Sequence, residues 1–174
     1  MRIQTRDPII DDVLDVHRAA IGPDLPTLRN HIYRSLNYQR LLLGTDRLPD
    51  SAALAWAVHD MGIWTDGTWD YLEPSVGLAR AFAAGHPIKG LGDTEDMVLL
   101  HHRLRPVKDP LVESFRRADL VDVSRGVLRG RISRRSVDAI VAEFPYLGFH
   151  RFLVRGLSVY GVRHPARPFP MLRL

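Results

Sequence analysis

A chain of 174 residues with 45% apolar content supplies one hydrophobic core and too little for two ordinary domains, and 25% charged residues at a net charge of +4 exclude disorder. It has no cysteine, which excludes a disulfide framework, a thiolate zinc site, an iron–sulfur cluster and a cysteine nucleophile, so any metal must sit on nitrogen and oxygen. Residues 1–100 carry 9 basic and 14 acidic side chains and residues 101–174 carry 15 and 6, an asymmetry that points to an anionic partner; 22 of the 24 bases are arginine, which fits phosphate recognition and equally a biased base composition.

Residues 1–12 contain no apolar leader core and no run reaches the roughly 18 apolar residues of a membrane span, so a cytoplasmic protein without a membrane partner is expected. The elements read as all-helical, each apolar-periodic run opening on a capping residue, in several cases followed by proline. Asp7-Pro8 opens a run through Ile9, Ile10, Val13, Leu14 and Val16 that ends before Gly22. A second spans about Thr27 to Leu43 and stops at Gly44, with His31 beside its apolar stripe. Asp50 or Ser51 caps a third, AALAWAVHD, apolar until its last two residues, as expected of a central helix that delivers a polar end into a buried site.

Gly62 to Tyr71 reads as a loop, after which Pro74 opens a helix closed by Gly85 and Pro87. Asp93 caps a helix that ends in His101 and His102, Asp109-Pro110 opens one with Asp119 near its middle, and Ser133 caps one containing Val137, Ile140 and Val141. A last helix is expected over Leu147 to Tyr160, followed by an extended tail that packs over the domain or over a neighbouring subunit of a homo-oligomer.

His31, His59-Asp60, His101-His102 and Asp119 fall on four different predicted helices. A lone histidine on an apolar helix is ordinarily a hydrogen-bonded core residue. The conjunction is what matters: a His-Asp pair ends one apolar helix, an aspartate interrupts another, and buried carboxylates without a counter-charge are expensive. Imidazole and carboxylate converging from facing helices suit manganese, iron, cobalt, nickel or zinc.

These residues, 28 apart from His31 to His59 and 59 apart from Asp60 to Asp119, resemble the pattern of the HD-domain superfamily of metal-dependent phosphohydrolases. AWAVHDMGIW is similar to that family's apolar-run-HD-hydrophobic-Gly signature, EDMVLLHH to its intermediate helix and FRRADLVD to its closing element, together covering about residues 27–125 and leaving 126–174 as C-terminal helices and tail of one HD domain. The resemblance implies an all-α bundle with a metal in its core, held by His31, His59, Asp60 and Asp119, with Asp60 bridging if a second ion binds, and with His101 or His102 as a second-metal ligand or phosphate donor. Two-metal relatives carry a further histidine where this chain has Asp70 to Glu73, a departure that favours one ion per chain; His86 is a loop residue and a minor candidate ligand.

Asp66, Asp70 and Glu73 are candidate acids or bases, and Trp64, Thr65, Trp69 and Tyr71 candidate pocket walls. Arg34, Arg103, Arg105 and Arg116, with Lys108 and Arg117, are candidate contacts to a phosphorylated small molecule. No GxGxxG, P-loop or GxSxG is present. Three classes remain: a phosphohydrolase, which leads; an HD-fold enzyme on a non-phosphate small molecule, of hydratase or di-iron oxygenase type; and a non-catalytic ligand-binding or nucleic-acid-binding domain resting on Arg125, Arg129, Arg131, Arg134 and Arg135.

Overall fold

The computed structural model describes residues 2–172. The chain is all-helical, with no strand among the described residues. Helix α1 (Pro8–Val16) begins where Asp7 accepts from the Ile9 amide, and after His17 a single turn, α2 (Arg18–Ile21), and a 3-10 turn over Gly22–Asp24 lead into α3 (Leu25–Leu43). Helix α3 starts two residues before the expected Thr27, because Pro26 lies in the first turn, where no backbone donor is needed. Gly44, at φ 70°, ends it in a left-handed cap.

Helix α4 (Asp50–Val58) is buried from Ser51 to Val58. Its expected cap by Asp50 or Ser51 is corrected: Pro49 takes the position without a side-chain bond, while the Ser51 carbonyl accepts from Thr94. The expected loop after the HD pair contains one helical turn, α5 (Gly62–Thr65). Helix α6 (Leu72–Gly85) starts two residues before Pro74, and α7 (Leu91–Leu100) starts after Gly90, so that Asp93 lies inside the first turn instead of capping it. Helices α8 (Pro110–Val123) and α9 (Arg134–Glu143) have the expected Asp109 and Ser133 caps.

Helix α10 (Phe149–Arg163) runs three residues past the expected end, and the tail then turns back to bury Met171 against Tyr71 and Leu72. It is not simply extended, and Arg173 and Leu174 lie outside the described residues.

Helix α3 packs along α8, α1 along α4, and α7 touches α4, α6 and α8. At their junction Trp56 stacks on Phe115 at 3.7 Å and donates to Gln39 Oε1 at 2.6 Å, while Gln39 Nε2 donates to the Leu111 carbonyl and Ser114 Oγ. Burying Gln39 this way leaves its amide satisfied, as a buried polar group requires. The alanines of α4 keep this central helix thin, so that histidines from its neighbours meet at its C-terminal end.

Candidate metal centre

The four predicted helices do bring their polar residues together. His31 comes from the middle of α3, His59 and Asp60 follow α4, His101 and His102 follow α7, and Asp119 lies within α8. Two sets of potential ligands result, His31 with His59 and Asp119, and Asp60 with His101 and His102, each with its donor atoms within 4.8 Å of one another.

Three histidines are held by their outer nitrogens. His31 Nδ1 donates to Asp122 Oδ2 at 2.7 Å, His59 Nδ1 to the Trp56 carbonyl at 3.0 Å and His101 Nδ1 to the Val98 carbonyl at 2.8 Å. This fixes the protons on the outside and turns the Nε2 lone pairs inward, the arrangement that orients metal-binding imidazoles. His31 Nε2 then lies 3.0 Å from His59 Nε2, and the buried His101 Nε2 has no hydrogen-bond partner. Facing lone pairs repel unless a cation or a proton sits between them, so the donor set fits a divalent ion.

Asp60 links the two sets. Its Oδ2 lies 3.5 Å from His31 Nε2 and 3.3 Å from His59 Nε2, while its Oδ1 faces His101 Nε2 at 3.7 Å. Asp119 Oδ1 lies 3.5 Å from His31 Nε2. The side chains of Asp60 and Asp119 are 8% exposed against 0% for His31, so the carboxylates reach toward solvent while that imidazole is enclosed.

Without an ion, protons balance these charges. Burial alone lowers the pKa of His31, but its hydrogen bonds to Asp122 and Asp60 and the charges of Asp122 and Asp119 push it up to about 9. Burial opposes ionisation of Asp60, yet the charge of His59 and hydrogen bonds from the three histidines hold it well below the usual carboxylate range. Burial raises Asp119 despite His31 and His101. Burial and the charge of His101 depress the pKa of His102, and its Nε2 shares a 2.6 Å hydrogen bond with the Tyr71 hydroxyl, which leaves Nδ1 as the nitrogen able to face an ion.

Gly62 permits this last contact. A Cβ at Gly62 would stand 2.8 Å from the Tyr71 carbonyl and 3.1 Å from Tyr71 Cβ, so a side chain there pushes the 66–71 segment outward. The Gly62 amide in turn donates to Ser75 Oγ on α6.

Other expected site residues lie elsewhere. Arg34 is fully buried and directs its guanidinium to both Asp122 oxygens, at 2.6 and 2.8 Å, and to the Phe144 and Pro145 carbonyls. Its donors are taken up in holding α8 and the segment after α9, so it corrects the expectation of a substrate contact. Arg116 forms a two-pronged pair with Glu113, both bonds 2.8 Å, and donates to the Arg103 carbonyl, so it too is engaged within the protein.

Arg103 is half-buried and Arg105 exposed, both just past His102. Asp66 is exposed and accepts from Thr65 Oγ1, Glu73 is exposed in the first turn of α6, and neither belongs to the cluster. Trp64 donates to Asp24 Oδ2 at 3.0 Å, and His86 stacks on Phe82.

Asp122 and Phe149 around the centre carry no role in the sequence pattern, and Tyr71 carries another. Asp122 follows Asp119 by three residues, a spacing that puts both on one helical face and was the available signal. Tyr71 was read only as a pocket wall. Phe149, stacked on the His31 ring at 4.2 Å and 15°, belongs to a distant helix and gave none.

No protein-family model matches the chain, and neither curated proteins nor solved structures give a significant match.

Proposed function

We propose that the chain is a metal-dependent hydrolase of the HD type that cleaves a nucleotide or another small phosphate ester. One observation carries this reading: a single carboxylate, Asp60, offers one oxygen to His31 and His59 and the other to His101. Asp60 would thus be shared, with His31, His59 and Asp119 on one side and His101 and His102 on the other as the residues that would hold one ion or two. A divalent ion there would supply Lewis acidity toward a phosphoryl oxygen and would lower the pKa of a bound water to roughly 7.

The protein's own part is to orient and to exclude water. Asp122 and the Trp56 and Val98 carbonyls lock the imidazoles, the fully buried floor of α3 and α4 shields them, and the two carboxylates mark the side from which substrate enters. Tyr71 keeps its proton, since burial and Asp60 raise its pKa well above the ordinary value, and its hydrogen bond with His102 Nε2 orients that imidazole.

Elemental analysis of protein purified without chelator tests the centre. One to two equivalents of a transition metal in the wild type, lost in Asp60→Ala together with turnover of nucleoside monophosphates or p-nitrophenyl phosphate, are expected. Absence of metal after loading with manganese or nickel overturns the reading.

A second reading, an HD-fold enzyme acting on a non-phosphate small molecule, is favoured by the engagement of Arg34 and Arg116 within the protein. Arg103→Ala with Arg105→Ala separates the two: a phosphohydrolase loses at least tenfold in kcat/KM, and an enzyme on a neutral substrate keeps its rate.

A further inference from the structure

A second feature lies outside the metal cluster. Where the segment after the HD pair meets α10 is an open groove of about 860 Å³, lined by Asp24, Trp64, Trp69, Phe152, Arg155 and Arg163. None of the six cluster residues lines it. Its size suits a small organic ligand.

The groove is built rather than incidental. Trp64 stacks parallel on Phe152 at 5.2 Å and 7°, Trp69 inclines on the same ring at 5.9 Å and 35°, and the Trp64 indole is fixed by its bond to Asp24. Trp69 rests directly on the backbone of α10 at Gly156, where any Cβ would overlap its six-membered ring. The glycine therefore admits the indole, and both tryptophans keep part of their surface toward the groove.

The cationic side is equally ordered. Arg155 and Arg163 are separated by two turns of α10, about 12 Å along its axis, and so lie on neighbouring parts of one face. Both are exposed, and among the described residues neither makes an ion pair, whereas Arg80, Arg116, Arg134 and Arg167 all do. Flat indole surface beside uncommitted guanidinium groups recognises an aromatic ring joined to an anion, the ring by stacking and the anion by charge-assisted hydrogen bonds. Asp24, beside Trp64, repels an anion and can accept from an exocyclic amino group, which sets the direction of the ligand.

We propose that this groove binds a nucleoside monophosphate, its base against Trp64 and Trp69 and its phosphate on Arg155 and Arg163. The site stands independently of the metal reading, although α10 connects the two: Phe149, one helical turn before Phe152, stacks on His31.

The test is titration of the purified chain with adenosine 5′-monophosphate, with and without EDTA, followed by tryptophan fluorescence and calorimetry. Saturable quenching is expected in both conditions, with binding weakened at least tenfold in Arg155→Ala/Arg163→Ala. Adenosine is expected to bind wild type and that double variant alike, because it lacks the phosphate. Gly156→Leu, which fills the space under Trp69, abolishes binding while the far-ultraviolet circular dichroism stays that of wild type. Absence of saturable binding by the wild type overturns the proposal. So does binding that EDTA abolishes and the arginine pair leaves unchanged, since that places the nucleotide on the metal cluster; the metal reading itself is decided separately by elemental analysis.

Discussion

Asp122 Oδ2 lies 2.7 Å from His31 Nδ1, and both residues are wholly enclosed. The same carboxylate holds Arg34 through both oxygens, so one side chain orients a candidate metal ligand and neutralises a buried guanidinium. Its pKa is lowered despite burial, by the hydrogen bonds of His31 and Arg34, which keeps it ionised.

Asp122→Ala therefore leaves Arg34 as an uncompensated buried charge. Breaking one partner of such a pair costs about 3–5 kcal/mol. For a chain of this length that corresponds to a fall in Tm of roughly 6–20 °C by calorimetry. Loss of the orienting bond to His31 also weakens metal binding by about 10–100-fold in chelator competition. Arg34→Met in the same chain removes the stranded charge and is expected to recover part of the stability but none of the metal affinity; equal recovery of both refutes an orienting role for Asp122.

His101 and His59 make different demands on the two ligand sets. If Asp60 bridges two ions, His101→Ala empties the set of Asp60, His101 and His102 while His31, His59 and Asp119 remain. Elemental analysis after saturating manganese should then show one equivalent less than the wild type, whereas His59→Ala removes the ion of the other set. Identical stoichiometry in wild type and His101→Ala contradicts a bridging arrangement.

The candidate ligands are more legible in the sequence than their surroundings because they violate local rules while the supports obey them. His59-Asp60 ends an otherwise apolar helix and Asp119 interrupts another, conflicts visible without coordinates. Arg34 and Arg116 looked like any other arginines, and nothing local distinguishes a guanidinium that meets substrate from one that meets Asp122 or Glu113. Their partners are set by how α3 and α8 pack, and by the return of the chain after α9. Helix starts differ from the sequence signals by a few residues, as helix ends do: Pro49, Leu72 and Leu91 precede or begin helices where Asp50, Pro74 and Asp93 suggested the boundary.

Tyr71 joins the centre through a single 2.6 Å hydrogen bond to His102. Tyr71→Phe preserves the ring against Met171 and removes only the hydroxyl, which leaves a ring nitrogen without its partner at a cost of about 1–3 kcal/mol. Metal content is expected to be unchanged while kcat falls, because the ligands of the first set are untouched. Gly62→Ala is expected to give the same kinetic loss by displacing Tyr71 rather than altering it. Full activity in both variants excludes Tyr71 from the reaction.

Beneath the histidines, Trp56 and Gln39 test whether the scaffold and the centre are separable. Trp56 Nε1 donates to Gln39 Oε1 at 2.6 Å, and Gln39 Nε2 donates in turn to Leu111 and Ser114. Gln39→Leu leaves the indole N–H without its acceptor in a dry interior, at about 1–3 kcal/mol, while the Leu111 carbonyl keeps its bond from Ser114 Oγ. A fall in Tm of roughly 2–12 °C is expected from calorimetry. Metal stoichiometry should stay at the wild-type value, because His59 is held by the Trp56 carbonyl rather than by the indole nitrogen. A variant that loses metal in proportion to stability shows instead that the centre depends on the stacking of Trp56 on Phe115, and that the edge contact of Trp56 with His59 at 5.1 Å positions the ligand.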